Sequence, residues 1–132
     1  MNYFFFRLPM ALSLLGHGLV RLPKTSAFAH GMTALLENSY LPETLVSSIA
    51  YAVPIVEALT GLFLLMGLFT RQSLQIALAL MAIFIFGNTT IENWEAISPE
   101  LIHAGYLAGL LFTIEHNTFS VDAQMKRNKQ SI

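Results

Sequence analysis

VSSIAYAVPIVEALTGLFLLMGL, Val46 to Leu68, carries one charged residue in twenty-three positions. A helix needs about 20 predominantly apolar residues to cross the hydrocarbon core of a bilayer. This stretch is that long, and Glu57 is its only interruption by charge. Working outward, Leu74 to Thr90 follows after a short polar break, and Ile97 to Ile114 comes next, less uniformly apolar. Tyr3 to Val20 opens the chain. The breaks between these stretches carry Pro, Asn and charge, as turns do.

Composition points the same way. Of 132 residues, 55% are hydrophobic and 11% charged, and the mean hydropathy is +0.59. Soluble domains carry roughly 25% charged residues, and a chain this short buries too small a fraction of its surface to hide so much apolar area from water. Strict period-two alternation is absent, which argues against a transmembrane β-barrel. The expectation is an all-α integral membrane four-helix bundle in a single domain, residues 1–132, with 115–132 as a cytoplasmic tail. Between the first two spans, Phe28, Met32, Leu35 and Leu36 fall at helical spacing. Ser26 to Glu37 therefore reads as a short amphipathic helix, lying on the membrane surface or folded over the bundle. Met10 to Val20 followed by Ala27-Phe28-Ala29 has the look of a secretion signal, but Arg21 and Lys24 stand between core and cleavage site, so no cleavage is expected.

Four spans put both termini on one side. That side gathers Arg7, Arg71, Lys126, Arg127 and Lys129, and positive residues favour the cytoplasmic face. The expectation is a multi-pass membrane protein with cytoplasmic termini and the bilayer itself as first partner. The net charge of −1 gives no footprint for nucleic acid, and the basic tail reads as a topology signal in contact with anionic lipid. The absence of cysteine excludes disulfides, thiolate metal sites and any thiol–disulfide relay run by this chain.

Glu57 is the most informative side chain. A charge at mid-span costs roughly 2.5–3.5 kcal/mol on insertion scales. It must face the bundle interior, a cavity or a partner, and burial favours its neutral form unless a cation lies close. It is the first candidate for proton handling or ligand binding; the competing reading is structural glue between helices. Pro54, one turn earlier, frees the carbonyl of Ala50, while Gly61, one turn later, permits close helix approach. Ser13, His17 and Arg21 form one polar stripe at i, i+4, i+8. His17 is the second proton-handling candidate, set against an interfacial His bonded to the backbone, and is expected a turn or two nearer the surface than Glu57. Asn88, His103 and Tyr106 are placed by the topology in the same outer half as His17, so that these four could ring one polar cavity floored by Glu57, with Ser13 and Pro54 as further ligand-binding candidates. His and Glu could also hold a metal, but no two His stand four residues apart and no metal is assigned. Gly105 and Gly109 form a G-x-x-x-G pattern, read as close packing within the bundle or in a homo-oligomer. Arg71 and Asp122 emerge on one face and could pair.

Taken together, Arg7, His17-Gly18, Leu41-Pro42, Glu57 with Gly61, Gly67-Leu68-Phe69-Thr70-Arg71 and Ser120-Val121-Asp122 resemble the pattern of the DoxX family. The resemblance runs from about Arg7 to Asp122. Two departures are plain: Glu115 to Phe119 replaces a Gly-rich lead into the tail motif, and Asn88 stands where many members carry His. The resemblance implies a four-helix protein of the bacterial inner membrane, with relatives that include subunits of a thiosulfate:quinone oxidoreductase and associates of redox-stress enzymes. The expected function is an accessory subunit of a quinone-linked membrane redox system. Quinone is the implied cofactor, and electrons come from a partner protein because the chain has no haem motif, dinucleotide fingerprint or cysteine. A non-enzymatic anchor or assembly subunit is the alternative and a small transporter a third reading. Nothing in the sequence decides whether the chain turns over a substrate.

Overall fold

The computed structural model describes residues 1–131 and is helical, with no strand among them. Six α-helices follow in order: α1 (Asn2–Arg21), α2 (Thr25–Leu35), α3 (Glu43–Met66), α4 (Thr70–Thr90), α5 (Trp94–Phe112) and α6 (Val121–Gln130). Three stretches are long and apolar enough to cross a membrane: α1 continuing into α2, then α3, then α4. The helix α5 falls outside that group, because Glu95, Pro99 and Glu100 occupy its first two turns. It completes a four-helix bundle by packing on α4 and α1.

The core is the shared apolar seam of these helices. Met10 and Leu14 of α1, Val53 and Leu64 of α3, Leu74 and Leu80 of α4, and Leu107 and Leu110 of α5 are all buried together. Leu12, Leu19, Ile55, Ile76 and Phe86 remain exposed on the outside, as helices with hydrocarbon for solvent permit.

The tightest contact is between α1 and α3. A Cβ placed on Gly18 would overlap the backbone of Ala58, and one placed on Gly61 would overlap the backbone of Leu15. The two helices therefore touch main chain to main chain, with the small residues that membrane packing favours. Gly105 and Gly109 do not behave this way. A Cβ at Gly105 meets nothing within 4 Å, and one at Gly109 makes an ordinary 3.6 Å contact with Phe6. Close packing of that pattern within the bundle is thus corrected: α5 approaches its neighbours through Leu107 and Leu110, on another face.

The short helix of the first linker runs from Thr25 to Leu35 and joins α1 through a single 3₁₀ turn at Leu22–Lys24. Of the two placements left open by the sequence, it adopts the one folded over the bundle, packed along α3. The helix α3 runs unbroken through the buried Pro54 and ends in a Schellman turn: Gly67 takes φ 68°, Gly67 N–H donates to Leu64 O and Leu68 N–H donates to Phe63 O. Glycine adopts that left-handed conformation without a Cβ penalty.

Candidate functional site

Charge inside the bundle is handled at two places. In the first, Arg21 at the end of α1 reaches across to Glu57 of α3. Its Nη1 donates to both Glu57 carboxylate oxygens at 2.7 Å. This is the one ion pair among the described residues, with the Glu57 side chain 4% exposed and that of Arg21 29%. The guanidinium also stacks over the Phe28 ring of α2, 4.7 Å from its centroid, a cation–π contact that strengthens as water is excluded. Helices α1, α2 and α3 are tied together at this point.

The packing register reorders the expected depths. With Gly18 opposite Ala58 and Leu15 opposite Gly61, antiparallel pairing sets Glu57 opposite Leu19. His17 is therefore no nearer the end of α1 than Glu57, contrary to the expectation of a turn or two. Its Nδ1 lies 2.7 Å from the Ser13 carbonyl. Since a carbonyl can only accept, that nitrogen carries the proton, and the ring folds back on its own helix.

The second place is the opposite end of the bundle, where the sequence reading saw motif letters but not the contact. Arg7 of α1 is 1% exposed. Its Nη1 donates to Asn117 Oδ1 at 2.7 Å, and Asn117 Nδ2 in turn donates to Thr70 Oγ1 at 3.1 Å. The guanidinium lies directly beneath Gly67, where a Cβ would stand 2.6 Å from Nη1. Asp122 accepts from Phe69 N–H at 2.9 Å and Thr70 N–H at 2.8 Å, while its own N–H donates to Gly67 O. A carboxylate on the free N–H groups that open α4 meets the positive end of the helix dipole. The partner of Asp122 is thus the backbone of the turn. The expected Arg71–Asp122 pair is not formed, because Arg71 points to the exposed side of α4. This knot joins the first span, the α3–α4 turn and the segment leading into α6.

The remaining candidates do not gather around Glu57. Tyr106 donates to Phe6 O at 2.7 Å, beside the start of α1. Phe6 and His17 are eleven residues apart, about 16 Å along a helix at 1.5 Å per residue. His103 Nδ1 lies 2.9 Å from Pro99 O within its own helix. Asn88 joins a separate network near the α4–α5 turn: its Nδ2 donates to Glu100 Oε1 at 2.7 Å and Phe84 O at 3.2 Å, and its Oδ1 accepts from Asn93 Nδ2 at 3.0 Å. Glu100 was missed by sequence reasoning, although an acidic residue inside the fourth apolar stretch is the same signal that marked Glu57.

A cavity of about 350 Å³ opens between α2, α3 and α4. Met32 of α2, Leu36 just beyond its end, Val46 and Ala50 of α3, and Gly87 of α4 help to line it, and Asn88 is the one polar side chain in its wall. Of the residues expected to ring a polar cavity, Asn88 alone reaches this one, which is apolar. It exists because α2 roofs the groove between α3 and α4 without filling it.

These features define the class: a small helical membrane protein whose buried Glu57 is held by an ion pair and whose buried Arg7 is held by a side-chain hydrogen bond inside the bundle. The chain belongs to the MauE family, described as methylamine utilisation protein MauE, whose profile matches residues 3–98. That is a small membrane-protein family related to the DoxX-like proteins whose pattern the motifs resemble. No curated protein and no solved structure matches the chain.

Proposed function

We propose that this chain is an accessory subunit of a membrane redox system, one that serves amine utilisation as its family's description indicates. It holds and assembles, and the oxidation is carried out by a partner protein. The observation that carries this reading is the state of Glu57. Both of its oxygens are taken by Arg21, so the most conspicuous polar group of the bundle serves as a cross-brace between α1 and α3. A group in that position is poorly placed to relay protons and well placed to fix a docking shape. His17, bonded to its own helix, fits the same role.

Quinone belongs to this reading as the lipid-soluble carrier that would link the system to the membrane. The apolar cavity roofed by α2 supports that part, being within the 300–1,000 Å³ usual for ligand pockets. The cytoplasmic placement of both termini in an inner membrane rests on the Lys and Arg bias alone.

The test is deletion of the gene in its source cells, complemented by wild type or by Glu57→Gln. Methylamine-dependent respiration should disappear on deletion, return with wild type and return only partly with the variant. The purified chain should oxidise no methylamine. Unchanged respiration in the deletion strain, or turnover by the purified chain alone, would overturn the proposal.

A further inference from the structure

The cavity between α2, α3 and α4 opens sideways. Leu35, Leu45, Ile83 and Phe86 belong both to its wall and to the exposed apolar surface of the protein. In a membrane protein such an opening faces hydrocarbon. Asn88, the one polar side chain of the wall, is already engaged with Glu100, Phe84 and Asn93. The wall therefore offers a ligand apolar contact, and the ligand that reaches it from the side is a hydrocarbon chain.

At one end the chemistry changes. Leu36, Leu41 and Val46 also line a second cavity, of about 280 Å³, so the two adjoin. The wall of the second includes Glu37 and Glu43 and contains neither Lys nor Arg. Both side chains are exposed. The one ion pair among the described residues is Arg21–Glu57, so no cation of this chain neutralises either carboxylate. The Thr33 hydroxyl in the same wall already donates within α2.

A ligand complementary to both cavities has a hydrocarbon chain and a cationic head that donates hydrogen bonds. We propose that the paired cavities bind one membrane phospholipid with a primary ammonium head, an acyl chain seated between α2, α3 and α4 and the ammonium against Glu37 and Glu43. An ammonium brings three N–H donors, and charge-assisted bonds to carboxylate are roughly twice as strong as neutral ones. A choline head has the same charge without an N–H, and a glycerol head has no positive charge at all. This site goes beyond the accessory role proposed above and does not rest on it. It does bear on the quinone part of that reading, because a quinone tail and an acyl chain contend for the same apolar space.

Native mass spectrometry of the full chain in mild detergent reads the bound lipid directly. The probes are the dioleoyl forms of phosphatidylethanolamine, phosphatidylcholine and phosphatidylglycerol, which share chains and phosphate and differ only in the head. Wild type should bind one phosphatidylethanolamine at least tenfold more tightly than either of the others. Glu37→Gln combined with Glu43→Gln should bind all three alike and keep the wild-type melting temperature, since both side chains are exposed. Gly87→Leu acts on the chain instead of the head. A Cβ added there meets its nearest neighbour, Leu36 Cδ1, at 3.9 Å, so the added bulk fills the cavity without overlapping backbone, and binding of all three lipids should fall at least tenfold. Equal binding of the three by wild type would mean that the groove takes any acyl chain, and would overturn the inference. So would a preference for the choline or glycerol head, an ethanolamine preference that survives the double Gln change, or displacement of the lipid by an equal concentration of decylubiquinone. None of these results measures methylamine-dependent respiration, so the site can fail while the accessory role stands, and the converse holds equally.

Discussion

Helix α3 meets its neighbours in two opposite ways. Along its C-terminal half it lies against α1 with backbones in contact at Gly18–Ala58 and Leu15–Gly61, and the seam is locked by Arg21 and Glu57. Along its N-terminal half it faces α2 and α4 across a cavity, although Gly87 stands in the wall of that cavity too. Glycine alone therefore does not make helices close. Close approach needs a glycine facing backbone, and in hydrocarbon, where lipid tails are as apolar as Leu, it is this van der Waals fit that drives association. Where glycine faces a flexible Leu side chain instead, the same residue leaves room.

The contrast can be broken most severely at its tight side. Gly18→Leu and Gly61→Leu should each prevent accumulation of folded protein, read as loss of the monodisperse peak on gel filtration in mild detergent. Gly87→Ala should be folded and as stable as wild type or more so, by up to about 1 kcal/mol from helix propensity. Equal tolerance at Gly18 and Gly87 would refute the backbone-contact account.

Next in size is the ion pair. Removing one partner of a buried pair costs about 3–5 kcal/mol, and partial exposure of Arg21 reduces this, so Glu57→Ala should lower detergent unfolding stability by about 2 kcal/mol. A double-mutant cycle with Arg21→Ala should show the two losses to be far from additive. Additive losses would mean that the pair does not brace the seam.

The opposite end offers a smaller effect. Asp122→Ala removes a carboxylate cap from α4 and should cost about 1–2 kcal/mol, while Arg71→Ala should fall within about 0.5 kcal/mol of wild type. Equal losses from the two variants would restore the Arg71–Asp122 pair that the geometry replaces with a backbone cap. Smallest of all, Gly105→Ala should leave the melting temperature of the isolated chain unchanged. Should it instead shift the oligomeric state on cross-linking in native membranes, the open face of α5 would be the contact with a second copy.

Much of this was legible in the residues. The apolar stretches, the polar breaks and the helical spacing of Phe28, Met32 and Leu36 are local properties, and local properties place helices. Glu57 announced itself by its cost. What could not be read was its partner. Arg21 lies thirty-six residues away and counted, from sequence, as the last member of a stripe on its own helix. Only the antiparallel register of α1 and α3 brings the guanidinium to the carboxylate. Tyr106 went astray for a related reason: its neighbour Phe6 is one hundred residues distant, and depth in one helix says little about depth in another when the axes cross.

By itself, then, the sequence determined that this chain is a bundle of helices for a membrane, because apolar length and turn chemistry act within a few residues of where they are written. The tertiary structure alone decided which charges pair, which glycines touch and where a cavity remains. Those depend on register and crossing between helices, and the energy that sets register is spread over side chains far apart in the chain.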